Sequence, residues 1–459
     1  LSWGLGPEAL VGVRLDALSA PLLALVCFLA GIILRFSGNY LGGDPRQGTF
    51  IKWICVTLGS VLALILAPGL VQFALAWVAT SLSLHRLLVF FPKRHGTLFS
   101  ARKKFLLSRV ADVALVTAFV GLYQSVGTQH FEGIFAALAS GKSGLAWVGW
   151  LIAFAAVLKS AQFPFHTWLP DTMGTPTPVS ALMHAGIINA GGVLLIRFSP
   201  LFAQTAAPLY AVAVVGAATA IFASFVMLSQ TSVKRSLAYS TIAQMGFMLM
   251  QCGLGAFHLA LLHIVAHSLY KAHAFLTSGS SVQTIETLST EQKAKRETHF
   301  PLAAALAVGF GMVVGLAYLA GVDPSQKPGM TALGVVVAMA ITQLLLRQFR
   351  RDTSLAAIAR VLATATAVAA AYLGLAALAA WWMSPGSTPI PGSSQGFELT
   401  LALVLFLALT TTLQLQIGSR FLIPLRFRDA LYVHALNGFY VNILANRFLK
   451  LIKLQPKNA

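Results

Sequence analysis

Apolar residues in this chain come in long unbroken stretches, not in strict alternation and not along one helical face. The stretches fall at about 15–35, 51–67, 70–91, 105–125, 145–163, 177–198, 207–229, 236–253, 256–277, 300–321, 331–347, 355–383 and 398–419. Each approaches the ~20 residues that carry a helix across a bilayer, so the pattern predicts an all-α polytopic membrane protein of about 13 transmembrane helices. Lys and Arg gather in alternate connections: Arg35, Arg46 and Lys52; Lys93, Arg94, Arg102, Lys103 and Lys104; Lys234 and Arg235; Lys293, Lys295 and Arg296; Arg347, Arg350 and Arg351; Arg420, Arg426 and Arg428. Such connections stay on the cytoplasmic side. The intervening ones, 126–144, 322–330 and 384–395, carry few charges and are expected outside. Residues 1–424 therefore read as the membrane domain. Residues 425–459 mix Arg426, Arg428, His434, Arg447, Lys450 and Lys453 with aromatics and read as an amphipathic helix on the inner surface.

Composition narrows the class further. Hydrophobic residues make up 57% and charged residues 10% of 459, with mean hydropathy +0.78. A soluble fold with a large core does not look like this. The net charge of +19 lies in short runs between apolar spans, so it orients helices and does not form a nucleic-acid face. Cys27, Cys55 and Cys252 stand alone, which gives no disulfide framework and no cysteine metal site. The first residue is Leu1 and not Met, so a further upstream segment is expected.

One stretch organises the rest. An apolar helix carrying Lys159 meets Phe163-Pro164-Phe165-His166-Thr167-Trp168-Leu169-Pro170 and restarts behind Thr175-Pro176-Thr177-Pro178. Pro164 and Pro170 each remove a donor and clash with the preceding turn, so no continuous helix runs through them. Irregular backbone at membrane depth survives only inside protein or beside a water-filled cavity. The restarted helix is expected to run on over 177–198 with His184 and Asn189 among small residues. Lysine, break and histidine together read as a proton or ion path. Asp171 in the break is expected to cap the restarting helix.

A second constellation lies at His263, His267 and Lys271, spaced by four and hence on one helix face. A lysine at mid-membrane costs about 2.5–3.5 kcal/mol, so that face must be wet or protein-lined. Histidine exchanges protons near neutral pH. A zinc site is disfavoured, since lysine is a poor ligand and no carboxylate joins the three. His258 lies off the face near a helix start and reads as interfacial, whereas His273 fits either role. Lys234 is either a snorkelling anchor or a member of the path. Asp112, three residues after Arg109, is a partner for the path or a neutralised end charge. Lys104 and its neighbours read as an orientation signal.

The runs Leu158-Lys159-Ser160-Ala161-Gln162-Phe163-Pro164, Trp168-Leu169-Pro170-Asp171, Pro176 to Ala185, Lys234 to Thr241 and His263 to Lys271 resemble the proton-translocating membrane subunits of respiratory complex I and the Mrp antiporters. Val13 to Ser19, Asn39 to Gly48, Leu75 to Leu88 and His184 to Gly192 look, within that superfamily, like the DabB-type membrane subunits of DAB inorganic carbon transporters. The resemblance covers about residues 15–280 well and the rest weakly. It implies a bacterial inner-membrane subunit working with a large DabA-like subunit that resembles a zinc β-carbonic anhydrase. Zinc would belong to that partner, and this chain would hold no cofactor. Ions passing Lys159, His184, Lys234, His263, His267, Lys271 and Asp112 would drive one-way hydration of CO2.

Two departures stand against the family pattern. Where complex I subunits carry a glutamate after this tryptophan, the chain has Trp77-Val78, so the usual carboxylate partner of Lys159 is missing. Asp112, a carboxylate of the partner, or His85 could substitute. The later half, from about residue 300, shows no lysine in a second broken helix. A complex I-like or cation/proton antiporter subunit is therefore an alternative, and a non-conducting scaffold that docks a soluble enzyme is another. The sequence has no nucleotide loop, cofactor fingerprint or nucleophile constellation, so no catalysis is expected in this chain.

Overall fold

A computed structural model describes residues 2–4, 10–91, 95–279, 302–319, 321, 330–349, 354–384, 395–417 and 425–451. Several orienting basic residues lie outside them: Lys93, Arg94, Lys293, Lys295, Arg296, Arg350, Arg351, Arg420 and Lys453. A short antiparallel pair, β1 (Ser2–Gly4) and β2 (Gly12–Arg14), precedes the helices. There follow α1 (Ser19–Tyr40), α2 (Gln47–Ile65), α3 (Leu70–Leu88), α4 (His95–Val126), α5 (Phe131–Ala139) and α6 (Ala146–Lys159). The break holds the one-turn α7 (Trp168–Asp171). Then come α8 (Thr177–Ala185), α9 (Ala190–Arg197), α10 (Ser199–Phe202), α11 (Ala207–Ser229), α12 (Val233–Gly253) and α13 (Phe257–Leu276). A C-terminal group comprises α14 (Leu302–Leu319), α15 (Met330–Phe349), α16 (Leu355–Met383), α17 (Gln395–Ile417), α18 (Leu425–Leu436) and α19 (Val441–Leu451).

The described parts of the thirteen apolar stretches are largely helical, but only ten segments among the described residues are long and apolar enough to span a membrane, counting the interrupted Thr177–Arg197 as one. α6 falls short because its break stops it at 14 residues. α3 and α12 fall short in hydropathy, since α3 carries Gln72, Ser81, Ser83, His85 and Arg86 and α12 starts on Lys234 and Arg235.

One large apolar core joins α1–α13, and smaller ones tie α14–α17 to α11–α13 and to each other. α11 and α12 approach through glycines: a Cβ on Gly246 would lie 2.6 Å from Ala220 N and from Gly216 O. Small residues at a crossing let membrane helices come into backbone contact where no hydrophobic drive exists between them. In the C-terminal group, Ser354 caps α16 by accepting from Ala357 N (3.3 Å). α16 reaches back to the start of the chain, where Trp382 Nε1 donates to Ala17 O (2.8 Å).

The predicted helix over 177–198 is not continuous. α8 ends at Gly186, a short 3₁₀ turn covers Ile187–Asn189, and α9 restarts at Ala190. The C-terminal segment also differs from the expected single helix, being split by left-handed backbone at Gly438, Phe439 and Tyr440.

Candidate functional site

Local chemistry explains why α6 stops where it does. Ala161 adopts a left-handed φ of 49°, and Gln162 N returns to Val157 O (3.3 Å), the 6→1 bond of a Schellman end. Lys159 thereby sits in the last turn. The freed groups of the break are met by protein: Phe163 N donates to Thr219 Oγ1 (3.0 Å), and Ser160 Oγ to Ile188 O (3.0 Å). Gly191 of α9 faces this turn, where a Cβ would lie 2.5 Å from Ala156 O. Pro164 and Pro170 shape the break, while Pro176 precedes the first turn of α8 and Pro178 occupies it. Proline suits that turn, whose amides lack partners anyway.

Lys159 is buried, and its Nζ lies 3.4 Å from Trp77 O and 4.1 Å from the centre of the Trp77 ring. No carboxylate lies within ion-pair distance of it among the described residues. Asp112 on α4 is nonetheless close enough for its charge to act on Lys159. It pairs with Arg109 at 2.5 Å within α4. His85, offered as an alternative substitute, instead packs its ring 5.3 Å from Phe105.

Lys104 is where sequence reading failed. It is fully buried and not a surface orientation residue, and its Nζ donates to Ser81 O (2.8 Å) and Ser81 Oγ (2.9 Å). A void of about 10 Å³ touches both Lys104 and Lys159. The missed signal was periodic: Lys104, Ser108 and Asp112 recur every four residues and so share one face of α4.

A second cavity touching Lys159, of about 40 Å³, is walled mostly by aliphatic side chains together with Trp77, Thr80, Gly186, Asn189 and Ser268. One water needs about 10–15 Å³ by this measure, so a few waters fit. Asn189 Nδ2 donates to Ser268 Oγ (2.9 Å) across to α13, while its Oδ1 is buried without a protein partner.

α13 continues the polar trail. His263 and His267 have ring centres 5.8 Å apart, and His267 hydrogen-bonds the backbone of His184. His184 is fully buried, stacks 4.3 Å from Phe275, and neither ring nitrogen has a protein partner. Lys271, also fully buried, donates to Ser240 Oγ (2.7 Å) on α12. Lys234 is half-buried and donates to Thr177 Oγ1 (3.1 Å) at the start of α8. His258 lies half-buried in the first turn of α13, and His273 is exposed. Buried polar atoms lacking protein partners are otherwise rare, and among the described residues they recur here on Asn189, His184, His263 and His267.

Asp171 does not cap α8, whose N-cap position is Pro176 and carries no side-chain cap bond. Its carboxylate instead meets Lys103 Nζ at 2.6 Å and Asn442 Nδ2 at 3.1 Å. On the opposite face Asp16, ahead of α1, pairs with Arg197 and with Arg14 (2.8 Å). Burial alone would raise its carboxyl, but the Arg197 and Arg14 guanidiniums and the Ser19 amide outweigh that and hold it well below the usual carboxylate range.

These elements define an antiporter-like membrane subunit, and comparison with known proteins agrees. A family model described as NADH:quinone oxidoreductase/Mrp antiporter, TM matches residues 67–322. The chain belongs to that family. Within it, the chain is 36% identical over 442 residues to the probable inorganic carbon transporter subunit DabB2 of Halothiobacillus neapolitanus, covering 96% of this chain and 80% of that one. It is 40% identical over 354 residues to the probable inorganic carbon transporter subunit DabB of Hydrogenovibrio crunogenus, covering 76% and 67%. It is also 34% identical over 284 residues to the NAD(P)H-quinone oxidoreductase chain 5 of a Synechocystis species, covering 60% and 42%. In fold it resembles a chain of the Mrp complex of a Dietzia species, with TM-score 0.58 and 22% identity over the whole of this chain and 52% of that one.

Proposed function

We propose that this chain is the ion-conducting membrane subunit of an energy-coupled inorganic carbon transporter in a bacterial inner membrane. Protons, or sodium ions, run down their gradient past Lys234, Lys271, His267, His263 and His184 to Lys159. Asp112 serves in place of the glutamate that Val78 replaces, and Lys104 shares the path with Lys159. A DabA-like, zinc-holding partner resembling a carbonic anhydrase hydrates CO2, and the ion flow makes that hydration one-way. Such coupling requires two states whose balance both the ion and the partner bias.

The observation carrying this reading is Lys159, buried at the end of a broken helix, lining two small voids and within the field of Asp112. The similarity to probable carbon transporter subunits supports the choice of cargo. The test is to extract the tagged chain in mild detergent and identify its stoichiometric partner and metal. A single large zinc-containing soluble subunit fits the proposal. Several hydrophobic subunits without zinc overturn it in favour of an antiporter or oxidoreductase assembly, the reading that the quinone oxidoreductase relatives favour.

A further inference from the structure

We infer that Asn442 is a positioning residue, through which the C-terminal segment clamps the break of the path helix and holds α4 in register with it. Lys103 Nζ donates to Asp171 Oδ2 (2.6 Å) and to Asn442 Oδ1 (2.5 Å), and Asn442 Nδ2 donates to Asp171 Oδ1 (3.1 Å). The three side chains form a closed ring joining α4, the break and α19. Lys103 is 2% exposed while Asp171 and Asn442 are half-buried, so the ammonium end of the ring is out of water, where a lost partner is costly. An amide is a neutral group that can serve both ions at once through separate atoms, its oxygen accepting from the ammonium and its nitrogen donating to the carboxylate.

The ring is one of several contacts pressing this segment onto the same place. Gln230 Nε2 donates to Leu436 O (3.3 Å), and the Phe439 ring lies 5.7 Å from Phe222. Phe222 in turn packs on Phe163 (4.9 Å) and His166 (5.0 Å) of the break. Phe439 and Tyr440 have φ of 49° and 60°, a left-handed backbone that non-glycine residues keep only where surrounding contacts over-determine it.

The consequence runs through one peptide bond. Lys103 faces the clamp, and its neighbour Lys104 faces Ser81 and the void shared with Lys159. Gripping Lys103 and Asp171 together fixes the first half of α4 against α7, in the break that follows α6, and through that break bears on the spacing of Lys104 and Lys159. The inference rests on the ion-path reading for its functional consequence, and on the ring alone for its structural part.

The test uses the full chain with its partner. Hydrogen exchange of the α19 amides and uptake of inorganic carbon are compared in Asn442→Leu, Asn442→Asp, the swapped pair Lys103→Asp with Asp171→Lys, and that swap combined with Asn442→Leu. The amide can turn over to serve the swapped ions, so the swap alone keeps near wild-type exchange and uptake. Asn442→Leu, Asn442→Asp and the triple variant raise α19 exchange about tenfold or more and lower uptake. Unchanged exchange in Asn442→Leu overturns the clamp. Equal loss in the swap with and without Asn442 also overturns it, since a purely structural role gives that result. Raised exchange with full uptake in Asn442→Leu overturns the link to the path, whereas persistence of uptake in Lys159→Met strikes at the path itself and leaves the exchange result to decide the clamp.

Discussion

Lys159 places its ammonium 4.1 Å over the ring of Trp77, and the residue following that tryptophan is the uncharged Val78. A ring face and a backbone carbonyl hold a cation without fixing a proton on it as tightly as a carboxylate does. On the neighbouring helix α4, Asp112 is the acid whose charge acts on Lys159.

The proposed path makes Asp112 the acid on which uptake depends. Asp112→Asn is expected to lower carbon uptake by at least about tenfold, since the charge acting on Lys159 is removed in a dry site. Asp112→Glu retains part of the activity. Adding Val78→Glu to Asp112→Asn restores part of it by returning the carboxylate to the tryptophan's side. Uptake assays on the three variants at matched expression check this.

Lys104 separates an orientation signal from a path residue. Lys104→Gln is expected to leave the topology unchanged, as read by cysteine labelling of the flanking connections, and to reduce uptake sharply. Lys104→Arg also fails, because a planar guanidinium does not fit the pocket that Ser81 lines for an ammonium. Inverted labelling in Lys104→Gln would favour the orientation role.

The opposite face gives a stability prediction with a pH sign. The Asp16 carboxyl is held below its ordinary 3.8 in the folded chain, so its stabilising contribution is fully present above that value. It is lost as pH falls through the lower folded value. Asp16→Asn leaves Arg197 buried without its partner and costs about 3–5 kcal/mol near neutral pH. The gap in unfolding temperature between wild type and Asp16→Asn is therefore constant from pH 7 to about 5 and narrows below about 4, measured in detergent.

Gly191 tests the packing of the break. Gly191→Val would drive a side chain into Ala156 O and Ser160 Oγ, costing about 1–3 kcal/mol of stability and separating α6 from α9. Thermal unfolding and uptake both fall if this contact sets the end of α6.

The helical membrane fold was legible in the sequence because apolar runs and proline are local signals. Pro164 and Pro170 announced the break around Lys159, and spacing by four announced the His263, His267 and Lys271 face. Lys104 was hidden inside the run Arg102-Lys103-Lys104, which looks like any basic connection until α4 is extended back to His95 and its face is read down to Asp112. The second break at Gly186 was hidden because glycine is common in membrane helices and the surrounding residues are apolar. Asp171 was misassigned because its partners, Lys103 and Asn442, lie far away in sequence, and no local pattern reveals such a contact.

The most direct measurement is carbon uptake by cells expressing Lys159→Met with its partner, alongside the amount of assembled complex. Methionine keeps the length of the side chain and removes the charge. The account predicts intact assembly with uptake reduced about 100-fold, the scale set by loss of a proton-transferring group. Wild-type uptake in Lys159→Met would contradict it.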